Sequence, residues 1–247
     1  MIDAYFRTRT NLTSSVSGNA LGGKLTTAQG QPIAGAKVQV RLTPLSGDGL
    51  MGALVAQGTL PPGTTSILFG IRVNAECGCS GSANVRIAEF RFQPQNGPPT
   101  VRTFRNARGV GEWGDMTDSK GVRIANVENG VLHLVARRGQ PMVMNSAQTP
   151  EHGQGNFTFS VRAQVPAAAV GSGYFAVFLM NDKGELSRTR IPFRPASVPV
   201  GTAVTGSDGS WSIRLSGQGQ NEFATLAQYA GDERYWAAQS TESRPRR

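Results

Sequence analysis

Gly30-Gln31-Pro32-Ile33-Ala34-Gly35-Ala36-Lys37-Val38-Gln39-Val40-Arg41-Leu42 reads as a turn feeding a strand whose apolar residues, Val38, Val40 and Leu42, alternate with polar ones. Its counterpart stands at the far end of the chain, as Thr205-Gly206-Ser207-Asp208-Gly209-Ser210-Trp211-Ser212-Ile213-Arg214-Leu215 and then Tyr229-Ala230-Gly231-Asp232-Glu233-Arg234-Tyr235-Trp236. Neither piece can bury a core alone, because a lone hairpin or single strand has too little apolar face. One small β domain is therefore written in two pieces, with about 150 residues between them, enough for a second domain.

The chain has 247 residues, which permits two domains with a core each. Its 31 Gly and 14 Pro, set among short Val/Ile/Phe runs with no long stretch of period 3.6, predict an all-β protein. The closest approach to a helical pattern, Pro166-Ala167-Ala168-Ala169-Val170, is too short to stand as a helix.

The formal charge of +9 comes from 25 Lys and Arg against 16 acids. A basic chain suits an anionic surface, nucleic acid or an acidic polysaccharide. The arginines, however, sit singly at alternate strand positions (Arg41, Arg86, Arg91, Arg123, Arg162, Arg214), the pattern of a solvated sheet face, and only Arg244-Pro245-Arg246-Arg247 forms a run. This spacing argues against nucleic acid as the partner. The two cysteines, Cys77 and Cys79, flank Gly78 and read as a tight loop clip or two free thiols; with two unpatterned histidines, His133 and His152, they do not make a zinc site. No stretch reaches the roughly 20 apolar residues that span a bilayer, and Met1 to Arg7 lacks the apolar core of a signal peptide.

In the middle of the chain, Ile67, Phe69, Ile71 and Val73 share one face of a strand and leave Arg72 and Asn74 on the other. Phe157, Phe159, Val161, Ala163 and Val165 form an inward stripe opposite Thr158, Ser160, Arg162 and Gln164. Between these runs, Val85 and Ile87 are out of phase with Phe90 and Phe92, which predicts a bulge near Ala88 and Glu89.

The terminal motifs, G-x-P-I-A-G-A-x-V, T-x-x-D-G-x-W and Y-x-G-D-x-x-Y, resemble the start and finish of one bacterial immunoglobulin-like repeat, of the kind strung along secreted glycosidases and surface proteins. The middle resembles a jelly-roll, galactose-binding-like carbohydrate-binding module: Gly109 to Trp113, Gly130 to Val135, Phe157 to Ala163 and Tyr174 to Phe178 occupy the places of its opening and central motifs. The module's closing motifs, at Gly58 to Thr64, Ile71 to Asn74 and Val85 to Phe90, come first instead of last. Either a circularly permuted jelly roll or remnants of two modules would give that order, and permutation suits compact domains whose ends lie close together. The resemblance implies an immunoglobulin-like β-sandwich from residues 1–48 and 199–247, interrupted by a jelly-roll β-sandwich at 49–198.

Such modules bind sugar by stacking aromatic rings on pyranose faces while Arg, Asn, Gln and acids fix orientation. The candidates are Trp113 and Tyr174, with Arg72, Asn74, Gln140, Asn145, Arg162 and Gln164 on outward faces. Glu112, Asp115 and Asp118 are positioned to hold a structural calcium ion in a short loop, or to solvate that loop; no other cofactor is required. Trp211 alternates with Ile213 and Leu215 and reads as core. Paired acids that a glycosidase would need occur only in turn-rich surroundings, at Glu112/Asp115, Asp115/Asp118 and Asp232/Glu233, and no nucleophile elbow or phosphate loop is present. The expectation is a non-catalytic polysaccharide-binding module, extracellular or at the cell surface, attached to a catalytic domain and with a preference for anionic glycans. A structural spacer or adhesin segment without a sugar site is the alternative, and a β-sandwich lyase or hydrolase a third.

Overall fold

A computed structural model describes residues 7–17, 20–74, 82–104, 125–137, 141–151, 153–214 and 223–241. The fold is all-β, built from antiparallel sheets, with one short 3-10 turn among the described residues, Ala167–Ala169, where the alanine run stands. The chain divides into two compact units, 1–45 with 197–247, and 46–196. The divisions fall at 45/46 and 196/197, slightly ahead of those read from the motifs. Gly47 and Gly49 belong to the inserted unit because their carbonyls accept hydrogen bonds from Ala167 N (3.0 Å) and Gln164 Nε2 (3.2 Å).

In the discontinuous unit, β1 (Thr10–Leu12), β2 (Ser15–Ser17) and β17 (Ser210–Arg214) all pair with β3 (Ala20–Thr27). A second sheet runs in the order β16 (Val198–Val204), β4 (Lys37–Pro44), β18 (Phe223–Tyr229), β19 (Ala238–Gln239). Strands from the two ends of the chain thus pair directly: Val38 lies opposite Ala203 on one side and Tyr229 on the other. Leu21, Leu25, Ile33, Val38, Val40, Trp211 and Tyr229 pack into one core. The buried Thr205 hydroxyl joins the two turns, donating to Ile33 O (2.6 Å) and accepting from Ala36 N (2.9 Å). Gly209 has φ +74°, and a Cβ there would stand 2.5 Å from Leu25 O, so the Asp208-Gly209 turn demands glycine for both conformation and space.

The inserted unit holds a six-stranded sheet, β5 (Gly52–Thr59), β13 (Asn156–Gln164), β7 (Ser82–Pro94), β10 (Val131–Arg137), β9 (Ala125–Glu128), with β8 (Thr100–Thr103) also on β7. A five-stranded sheet follows the order β11 (Met142–Asn145), β6 (Ser66–Val73), β14 (Gly173–Asn181), β15 (Gly184–Pro192), with β12 (Thr149–Pro150) also on β6. Their inner faces meet through aromatic rings. Phe69 of β6 lies 5.5 Å from Phe90 of β7 and 6.1 Å from Phe159 of β13, while Phe175 of β14 meets Phe90 edge-on at 5.9 Å. Such offset and edge contacts add to the burial of each ring. The pairing of β13 with β7 shifts register between Arg162/Ala163, whose partners are Glu89 and Ile87. Ala88 is the extra residue, and the bulge puts Val85, Ile87, Phe90 and Phe92 all in the core.

Candidate functional site

The outer face of the five-stranded sheet is where polar and aromatic candidates converge. Because side chains alternate, burial of Phe69 and Ile71 on the inner side turns Gly70 and Arg72 of β6 outward. The same rule turns out Tyr174, Ala176 and Phe178 of β14, Arg188 and Arg190 of β15, and Val143 and Asn145 of β11. Register sets them in rows across the sheet: Val143, Arg72, Tyr174 and Pro192, then Asn145, Gly70, Ala176 and Arg190, then Leu68, Phe178 and Arg188.

Phe178 is 4 % exposed although it points away from the core, because two guanidinium groups cover it. Arg72 Cζ lies 4.8 Å and Arg188 Cζ 5.0 Å from the centre of its ring. In the neighbouring row Arg190 Cζ lies 4.8 Å from the centre of the Tyr174 ring. Each contact places a cation near an aromatic ring within the distance at which the ring quadrupole attracts it.

Hydrogen bonds hold two of the three cations. Arg72 Nη1 donates to Ile71 O (3.0 Å) and Met144 O (2.9 Å), which ties the side chain to the β6/β11 edge. Arg188 donates from Nε and Nη2 to the two carboxylate oxygens of Glu185, at 2.5 and 2.7 Å. Partial burial pulls the Arg72 guanidinium below its ordinary value, and the Glu185 hydrogen bonds push that of Arg188 up; a guanidinium remains charged throughout such a range. Arg190 is exposed and forms no ion pair with a described residue.

Gly70 is the floor of this face. A Cβ there would stand 2.5 Å from Phe178 Cε2, 3.0 Å from Arg72 Nη1 and 3.1 Å from Asn145 Oδ1, so side chains from three strands close over the glycine. Three guanidinium groups against one carboxylate make the face cationic, and its guanidinium donors match carboxylate or sulfate oxygens.

Of the residues singled out from the sequence, Arg72, Asn145 and Tyr174 meet on this face. Asn74 follows β6, exposed, with its backbone N–H donating to Ser172 O at 2.8 Å. Arg162 and Gln164 lie instead on β13 of the other sheet, where Gln164 Oε1 accepts from Arg86 Nη1 at 3.4 Å. Trp113, Gln140, Glu112, Asp115, Asp118, Cys77 and Cys79 lie outside the described residues. Phe178, Glu185, Arg188 and Arg190 were missed. The Arg188-Thr189-Arg190 alternation and the Glu185 to Arg188 spacing are the signals that point to them.

The other acidic pair has a structural part. Asp232 accepts from the Tyr229 hydroxyl (2.8 Å) and from the backbone N–H groups of Arg234 and Tyr235 (2.8 and 2.9 Å), closing a turn in the discontinuous unit. Trp236 is 55 % exposed there, its indole N–H donating to Arg7 O at 3.0 Å. No protein-family model matches the chain, and no curated protein is significantly similar to it.

Proposed function

We propose that the inserted unit is a non-catalytic module that binds anionic polysaccharide on the outer face of its five-stranded sheet, holding a secreted carbohydrate-active enzyme at its substrate. The frame of this reading is a permuted jelly roll set into an immunoglobulin-like domain. The observation that carries it is the set of three guanidinium groups held against Phe178 and Tyr174. With Phe178 covered by two of them and Tyr174 stacked by the third, ring stacking on a sugar gives way to recognition of carboxylate or sulfate groups by arginine. Stacking of the cations on rigid rings reduces the entropy lost when a ligand fixes them.

The spacer reading draws on the same geometry, since Arg72 and Arg188 are already bonded within the protein. Arg190 separates the two, because beyond its stacking on Tyr174 it is exposed and forms no ion pair with a described residue, which leaves its guanidinium open to a ligand. Affinity electrophoresis of the full chain against polygalacturonate, alginate and heparin, with single-stranded DNA as competitor, tests the proposal. Retardation by one of these glycans, weakened about tenfold in Arg190→Ala and not reversed by DNA, supports it. Equal mobility of the two proteins in every gel contradicts it.

A further inference from the structure

On the other sheet of the inserted unit, β5, β13 and β7 lie side by side and their outer face forms a groove of ≈ 680 Å³. Gln57, Thr158 and Gln93 form one row across it, and Thr59 and Asn156 the next, where Asn156 O accepts from Gln95 N at 2.7 Å. The floor is the backbone of Gly58, Phe157 and Pro94, because the Phe157 ring turns inward against Phe92 at 4.8 Å. None of the described lining side chains carries a charge.

Carboxamides and hydroxyls both donate and accept, so one side chain can bridge two adjacent sugar hydroxyls, whereas an anion would meet no cation among the described lining residues to offset its desolvation. Two of the groups are held in place: Thr59 Oγ1 donates to Asn156 Oδ1 at 2.9 Å, and Gln93 Nε2 donates to Pro94 O and Gly97 O, both at 3.1 Å. Gln57 and Gln95 stay exposed at opposite walls. The volume falls within the range of small-ligand sites.

We infer that this groove is a second binding site, for a neutral polyhydroxylated chain. It shares with the proposed function the reading of this unit as sugar-binding, but it lies on the other sheet and takes ligand of different charge. The module would then engage composite material carrying neutral and acidic glycans.

The test uses the full chain in affinity gels containing xylan, galactomannan, laminarin or hydroxyethyl cellulose, run at low salt and at about 0.5 M salt, where charges are screened beyond a few ångströms. The expected result is retardation by one neutral glycan at both salt concentrations. It weakens about tenfold in Gln57→Ala/Gln93→Ala and stays unchanged in Arg190→Ala. The single variant Gln57→Ala, at an exposed position, provides the same reading should the double variant fold poorly. Absence of retardation by all four glycans, or unchanged retardation in the groove variants, overturns the inference. Binding of anionic glycan alone overturns the groove and leaves the basic face standing; binding of neutral glycan alone does the reverse.

Discussion

Arg72 and Phe178, from adjacent strands of one sheet, stack with the guanidinium carbon 4.8 Å from the ring centre, and the ring is buried on the side of the sheet that faces away from the core. With Arg188 also at the ring, a single apolar side chain positions two cations. Phe178→Leu keeps most of the bulk and removes the quadrupole. Its expected effect is a loss of about 1–2 kcal/mol of stability, from about 0.5–1 kcal/mol per cation–π contact within the fold, together with a several-fold loss of anionic glycan affinity because the arginines lose their seat. Affinity electrophoresis and thermal unfolding of the same sample check both halves.

Gly70 admits no side chain without moving its neighbours. Gly70→Val drives branched carbons toward the Phe178 ring and Arg72 Nη1, and overpacking of this kind costs about 1–3 kcal/mol. Chemical denaturation should show that loss together with weaker glycan retention, because the displaced ring no longer seats the arginines.

Trp211 is buried in the core of the discontinuous unit, and its indole N–H finds no hydrogen-bond partner among the described residues. A buried donor without a partner costs about 1–3 kcal/mol. Trp211→Phe removes that donor along with some apolar bulk, so the two effects oppose and stability should change by less than about 1.5 kcal/mol. Trp211→Ala, which only loses packing, should cost about 3–5 kcal/mol. Urea unfolding of the pair distinguishes these values.

Burial, and then the hydrogen bond to Asp232, push the Tyr229 hydroxyl up to about 12. A group whose folded value is raised contributes stability that is complete below its unfolded value near 10 and lost as pH rises through the folded one. The discontinuous unit should therefore lose stability between about pH 10 and 12, and Tyr229→Phe should flatten that decline. Asp232 moves the other way: the Tyr229 hydroxyl and then the Arg234 and Tyr235 amides hold it below the usual carboxylate range. Its contribution is present at neutral pH and disappears in acid, so Asp232→Asn should reduce the acid dependence of the unfolding midpoint.

Strand alternation was readable wherever one face of a strand is buried. Phe157 to Val165 and Ile67 to Val73 take the faces their period demands, and the phase break between Ile87 and Phe90 marked the bulge at Ala88. The basic face was only half legible, for a physical reason. In Tyr174 to Leu179 both faces are apolar, so alternation does not reveal that Phe178 points outward beneath two arginines. Arg188 and Arg190 become neighbours of Arg72 and Tyr174 only through the order β11, β6, β14, β15, a long-range pairing that local pattern does not carry. The placing of Arg162 with Arg72 failed likewise, since alternation says which residues share a strand face but not which sheet the strand joins.

A salt titration probes the cationic face directly. Affinity for polygalacturonate should fall steeply between low and physiological salt, as screening weakens exposed charge contacts, and the dependence should become shallower in Arg72→Ala/Arg190→Ala. Salt-independent binding, or an identical salt dependence in the double variant, would contradict the assignment of the site to this sheet.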